Sequence, residues 1–225
     1  MSRRRVSNPL ALAVLSCLHE RPMHPYEIST TLRTRGKEQS IKLNYGSLYS
    51  VVESLQKHGL ITSVETTREG RRPERTVYQI TPAGVDEFED WLSELLSTPV
   101  RDYHSLEAGL SLMAGLPPDD AARMLDQRTL ALRRELAALA EGGKVGDEIG
   151  LPEIFWVESS FRSAMLTAEL EFVTDLVARI RSGDFGGTSV WRKLHDLRAG
   201  GMSFEQIMAD PVGLLGEEAR VLLDP

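Results

Sequence analysis

Cysteine is nearly absent from the 225 residues, and the single thiol, Cys17, lies inside the apolar run LALAVLSCL. One cysteine excludes a disulfide scaffold and reads as a small buried hydrophobe of a reducing compartment. Long hydrophobic runs are missing as well. No stretch approaches the ~18 apolar residues that a membrane span requires, and MSRRRVSNPLALAVLSCLHERP has no small-residue cleavage site after its short apolar segment. The expected location is the cytoplasm, with no membrane partner. Metal-ligand spacing is lacking too: His19, His24, His58, His104 and His195 form no HExxH or related pattern. Neither GxGxxG after a strand, nor GxxxxGK[ST], nor GxSxG occurs, and GDFGG from residue 183 reads as a linker rather than a phosphate cradle. No metal, cofactor or enzymatic activity is therefore expected.

Hydrophobic residues make up 41% and charged residues 26%, an ordinary globular balance. The length suits one large or two small domains, and two are expected. The net charge of −7 speaks against a nucleic-acid partner until its distribution is considered. Residues 1–84 hold 13 Lys+Arg against 7 Asp+Glu, a surplus of +6, and the remainder carries −13. Only the first part has the sign to face a polyanion.

Asn8 as N-cap and Pro9 at the first position open a helix that runs to His19 or Glu20. A short second helix follows in YEISTTLRTRG, with Glu27 near its start and Gly36 at its end. The third lies in KLNYGSLYSVVESLQKHGLI, residues 42–61, between the N-cap Asn44 and the stop at Gly59. Leu48, Val51, Val52 and Leu55 recur at i, i+3, i+4 and i+7, which assigns them to the core. Its other side carries Tyr45, Tyr49, Ser50, Glu53 and Lys57, and two large rings on a face expected to be solvated require a partner. Tyr26, by contrast, reads as core. Two strands over roughly 61–67 and 75–80 form a hairpin whose turn holds Arg68, Arg71, Arg72 and Arg75 with only Glu69 and Glu74 against them. A fourth helix from Thr81 and Pro82 presents Phe88, Trp91, Leu92, Leu95 and Leu96 along one face.

Beyond Pro99 only helices are expected: one from about Asp102 to Ala114, one from Asp119 or Asp120 to about Ala140, then the loop GGKVGDEIGLP and a long helix from about Pro152 to Arg181. Leu125, Leu132, Leu136 and Leu139 suit a short coiled-coil-like seam. Ile154, Val157, Phe161, Met165, Ala168, Phe172, Leu176 and Ile180 form the main stripe of the long helix. Leu166, Leu170, Val173 and Val177 widen it beyond what one partner helix covers, so a dimer through this half is expected. The tail from Gly183 holds two short helical patterns, WRKLHDL and SFEQIMA, and has no functional assignment.

Three helices, a charged hairpin and a fourth helix give the order of a winged helix-turn-helix domain. The segments PMHPYEI, GSLYSVVESLQKHGLI and EGRRPERTVYQITPAG closely resemble the PadR family of bacterial transcriptional regulators. Pro25 and Ser50 stand where many relatives have Gly and Pro, and PMHPYEI is similar to the branch with AphA-like virulence activators. The expected fold is mostly α: residues 1–99 a winged helix-turn-helix domain with a two-stranded β wing, 100–182 an all-α dimerisation domain of long helices, and 183–225 a tail. The expected function is that of a sequence-specific transcriptional regulator, read as a repressor, which binds a two-fold symmetric operator in double-stranded DNA as a homodimer. The contacting residues would be Lys42, Asn44, Tyr45, Ser47, Tyr49, Arg68, Arg71, Arg72 and Arg75, the first five at the recognition helix and the arginines on phosphates or the minor groove. Arg3, Arg4 and Arg5 read equally as an arm onto DNA or as a solubilising terminus and are left out of that set. The resemblance also implies a small apolar or aromatic effector at the dimer interface, where Trp91, Phe155, Trp156 and Phe161 would line a pocket. Core packing is the competing reading of those rings. A protein-interaction or small-molecule sensor module built on the same scaffold, with weak or lost DNA affinity, is the alternative function.

Overall fold

The computed structural model describes residues 8–67 and 75–222. Its contacts divide the chain into two units, Met1–Arg101 and Asp102–Pro225.

In the first unit, Asn8 accepts the amide of Leu10 at 3.0 Å and opens α1, Pro9–Glu20. α2, Pro25–Thr34, starts with a reciprocal cap in which Nδ1 of His24 accepts the amide of Tyr26 while Glu27 accepts that of His24. α3, Tyr45–Lys57, ends at His58, and Gly59 takes the left-handed turn (φ 73°) that leads into the hairpin. β1, Ile61–Thr67, pairs antiparallel with β2, Arg75–Ile80, from Ile61 opposite Ile80 to Thr67 opposite Arg75, with an irregularity between Ser63 and Glu65. α4, Pro82–Ser97, is capped by Thr81. One core of Leu10, Val14, Leu15, Leu18, Ile28, Leu48, Leu55 and Ile61 joins these elements. Trp91 is buried in that core, whereas Leu92, Leu95 and Leu96 of the same helix are exposed. Cys17 is fully buried in it, and loss of water around the thiol pushes its pKa up to about 11, which leaves the sulfur inert at neutral pH.

In the second unit, α5 is shorter than the sequence pattern suggests, Ser105–Ser111, and is followed by a separate 3-10 turn at Met113–Gly115. α6, Pro118–Glu148, runs straight through the glycines expected to form a loop. Glycine costs a helix about 1 kcal/mol per residue, a weak preference that a long helix already nucleated overrides, and Lys144 pairs with Glu141 one turn away at 2.6 Å within this stretch. The loop is confined to the turn at Gly150, and α7, Val157–Ser182, begins only after a 3-10 turn at Glu153–Phe155. α6 and α7 form an antiparallel hairpin stitched by Arg181 to Asp126, Arg128 to Glu169 and Arg162 to Glu135. The expected stripe of α7 divides in two. Val173, Leu176, Val177 and Ile180 are buried with Ala121, Ala122 and Leu125 of α6, but Ile154, Phe161, Met165 and Phe172 face solvent.

The segment expected to be a flexible linker is ordered by its own packing. Gly183 and Gly187 take left-handed conformations, and Phe185 between them packs on the α6/α7 core and meets Trp191 edge-on. α8, Thr188–Ala199, α9, Phe204–Ala209, and α10, Pro211–Leu215, follow, with a small core of Ile207, Leu215 and Ala219. Trp191 of α8 is buried against α6 and α7 and donates its indole N–H to the carbonyl of Leu116 at 2.7 Å. Arg192 grips Asp119 at 2.5 and 2.9 Å, and the guanidinium holds that carboxyl below the usual carboxylate range. Residues 183–222 are thus folded onto the second unit.

Candidate nucleic-acid interface

α3 is amphipathic by construction. Leu48 and Leu55 are wholly buried and Val51 and Val52 nearly so, which leaves the opposite side outside the core. Asn44 precedes that side and accepts the amide of Ser47 at 2.7 Å, and Ser50 returns its hydroxyl to the carbonyl of Gly46 at 3.1 Å. Tyr49 is 47% exposed, and its ring stands on the same helix as the exposed Ser50, Glu53 and Lys57. Lys42 and Asn44 are exposed just before the first turn, and Ser47 is half-buried. The side chain of Tyr45 and that of Arg75, together with residues 68–74 and therefore Arg68, Arg71 and Arg72, lie outside the described residues.

Tyr26 does not join the core. It is 60% exposed, since the buried side of α2 is supplied by Pro25, Ile28, Ser29 and Leu32, and a residue next to Pro25 in the first turn points away from them.

Two features hold the hairpin to the helices. Thr81 accepts the amide of Gly84 at 3.1 Å and donates to the carbonyl of Gly59 at 2.7 Å, while its own amide donates to Leu60 at 3.0 Å. The start of α4 is thereby locked to the turn that follows α3. On the other side, Met23 and Tyr78 exchange two backbone hydrogen bonds, each 3.0 Å long, so the turn between α1 and α2 pairs with β2. Nothing local in RPMHP signals that pairing, because it joins residues far apart in the chain.

A concavity of about 410 Å³ runs beside α3 and is lined by Asn8, Gly46, Ser47, Ser50, Val51 and Ser54. Asn8, Ser50 and Ser54 were not among the expected contacts. The spacing of Ser47, Ser50 and Ser54, three and four residues apart, is the signal that places three hydroxyls along one side of the helix. Several cations of this unit are committed elsewhere: Arg35 to Glu20, Arg21 to Glu27 and Arg33 to Glu38. The Arg35 guanidinium lowers the pKa of the Glu20 carboxyl, so this pair supports the fold at neutral pH and the support is lost as the pH falls through that lowered value.

Replacement of Asn44 by alanine tests the helix start independently of any ligand. Loss of the cap is expected to lower stability by about 1 kcal/mol, read in a urea titration of the isolated protein. An unchanged midpoint would show that Asn44 does not hold the first turn.

The four rings expected to line an effector pocket are divided between the two units. Trp91 is core of the first unit. Phe155 and Phe161 are exposed, and Trp156 borders an open groove of about 640 Å³ between α6 and α7 with Leu139, Ala140, Ser159, Ser163 and Glu171. Among the described residues no group of acidic, histidine and cysteine side chains is placed to hold a metal ion, and no helix is long and apolar enough to cross a membrane.

Residues 14–90 match the family described as "Transcriptional regulator PadR-like family". No curated protein matches the sequence. Among solved structures, Bacillus subtilis PadR in complex with operator DNA is similar with a TM-score of 0.62 and 17% identity, over 76% of this chain and 98% of that one. The same Bacillus subtilis protein in complex with p-coumaric acid gives 0.60 and 15%, over 75% and 96%. The Vibrio cholerae virulence activator AphA gives 0.58 and 14%, over 77% and 98%. These likenesses establish a shared fold, a winged helix followed by helices.

Proposed function

We propose, from the match of residues 14–90 to the PadR-like family of transcriptional regulators, that the chain is a homodimeric repressor that reads a two-fold symmetric operator. α3 enters the major groove, where Asn44, Tyr45, Ser47 and Tyr49 meet base edges or backbone oxygens, and Lys42, Arg68, Arg71, Arg72 and Arg75 neutralise phosphates. The observation that carries this reading is Tyr49, an exposed ring on the side of α3 opposite a fully buried stripe. The exposed apolar residues of α7 and of the 3-10 turn before it, with Phe161 at 68% and Ile154 at 73%, support a second copy as the partner of the C-terminal half. The two α3 helices of such a dimer lie about 34–36 Å apart on one side of the duplex. The groove beside Trp156 is the effector site of this reading, because it is the place where one of the expected rings borders a cavity.

The test is a footprint on DNA from upstream of the chain's own gene, with the oligomeric state measured in parallel by sedimentation. Protection of two half-sites one helical turn apart is expected, from a particle of twice the 25.0 kDa chain mass. Tyr49→Ala is expected to weaken operator binding by about 10-fold or more without a change in melting temperature. Protection of one asymmetric site, or a Tyr49→Ala protein that binds as well as the parent, would overturn the reading.

A further inference from the structure

The exposed side of α3 has two unlike edges. With 3.6 residues to an α-helical turn, Tyr49 stands at one edge and Ser47 and Ser54 at the other, with Ser50 between them. The tyrosine edge projects a large ring. The serine edge is cut back, and there Asn8, Gly46, Ser47, Ser50, Val51 and Ser54 line the concavity of about 410 Å³. That volume compares with ~30 Å³ for one water in the liquid, so a phosphodiester group enters with part of its hydration. No charged side chain is among these lining residues, so the wall neither repels an anion nor neutralises one.

The hydrogen bonds of the wall leave donors over. Asn8 accepts the amide of Leu10 through Oδ1 at 3.0 Å and that of Ala11 through its backbone carbonyl at 2.7 Å, so the first amides of α1 are spent on Asn8 itself. Its Nδ2 group donates to none of the described residues, although the cap fixes the side chain that carries it. The hydroxyls of Ser47 and Ser54 likewise have no partner among the described residues. Ser50 differs, because its proton goes to the carbonyl of Gly46 at 3.1 Å, and it contributes space rather than a donor. The wall therefore offers neutral N–H and O–H groups from two helices to one point.

An α-helix with its side chains is about 10–12 Å across and the major groove about 12 Å wide, so a helix seated there meets the phosphate backbone on both flanks. We infer that the hollow between Asn8 and α3 seats one phosphate of the duplex, held by Nδ2 of Asn8 and the hydroxyls of Ser47 and Ser54. The inference rests on the duplex-binding reading above and deepens it: α3 gains a backbone contact on the flank away from Tyr49, and Asn8 of the neighbouring helix becomes a positioning residue for the docked strand. The chemistry is unlike that of an arginine. Neutral donors bond a phosphate oxygen without releasing its counterions, so they fix register and add affinity that salt scarcely changes.

Asn8→Asp is the sharpest variant. Aspartate caps a helix as well as asparagine does, so α1 keeps its start while a carboxylate oxygen replaces the donor and faces the phosphate. Binding of the full-length chain to DNA from upstream of its own gene, read by fluorescence anisotropy, is expected to weaken by about 10-fold or more with no fall in melting temperature. Asn8→Ser/Ser54→Ala, which also keeps a capping residue, should lose about 10-fold at every salt concentration with the parent's slope of log affinity against log salt, whereas loss of an arginine contact makes that slope shallower by about 0.9. A methylphosphonate placed in turn at each phosphate of the protected stretch locates the seat: at one position it should weaken the parent and leave the double variant unaffected. Variants that bind as the parent does, or a methylphosphonate series in which no position separates the two proteins, would overturn the seat and leave the duplex-binding reading standing. A parent chain that binds no upstream DNA would overturn both.

Discussion

Replacement of Gly84 by alanine is expected to lower the stability of the first unit by about 3–5 kcal/mol, at the severe end of single substitutions. A methyl group at this position would lie 2.0 Å from the carbonyl oxygen of Leu60 and 2.8 Å from Cγ1 of Ile80. Neither neighbour is free to withdraw. The Leu60 carbonyl accepts the amide of Thr81, and Ile80 is the partner of Ile61 at the open end of the hairpin. The first turn of α4 must therefore move, and that motion breaks the Thr81 bonds to Gly59 and Gly84 that fasten α4 to the end of α3. Thermal unfolding followed by circular dichroism checks the expectation. At about 4–8 °C per kcal/mol for a unit of this size, the transition should fall by about 15 °C or more. A shift of under ~3 °C would mean that α4 accommodates the methyl group by sliding, and the tight locking of the hairpin to α3 would be refuted.

The second large effect is expected from Trp191→Ala in α8. The ring is buried between α6 and α7, it meets Phe185 edge-on at 6.5 Å between centroids, and its N–H satisfies the Leu116 carbonyl. Truncation leaves a cavity and a lost hydrogen bond, together about 3–5 kcal/mol. Trp191→Phe keeps most of the packing and removes the donor, so a smaller loss of about 1–2 kcal/mol is expected. Urea unfolding monitored by far-ultraviolet circular dichroism separates the two. If the alanine variant unfolds with the parent, residues 183–222 contribute little to the second unit and fold apart from it.

The winged helix was readable in the sequence because its signals are local. Asn8, Asn44 and Thr81 each announce a helix start by chemistry that operates within three residues, and each caps the helix expected of it. The hairpin follows from alternation in ITSVETT and RTVYQI, and its strands cover the expected residues. The buried stripe of α3 is likewise the one that periodicity assigns. Misreadings came where size or composition stood in for geometry. Tyr26 reads as core, although its place next to Pro25 directs it outward. Gly142, Gly143 and Gly146 read as a loop, although glycine only weakens a helix and the continuing backbone ladder of α6 outweighs it. The packing of Trp191 and the pairing of Met23 with Tyr78 rest on partners distant in the chain, and no window of sequence contains both halves of either contact. At the candidate interface, composition identified the exposed ring of Tyr49, but the hydroxyl-lined hollow next to it required the position of Asn8, which belongs to another helix.

The double hydrogen bond between Met23 and Tyr78 ties the base of the wing to the turn between α1 and α2. In the proposed complex, a wing tied down in this way would set the span between the helix that inspects bases and the strands that straddle the backbone. A duplex that matches this span would then dock without rearrangement, and one that does not would have to bend to fit, so the stiffness of the DNA itself would become part of how one site is preferred over another.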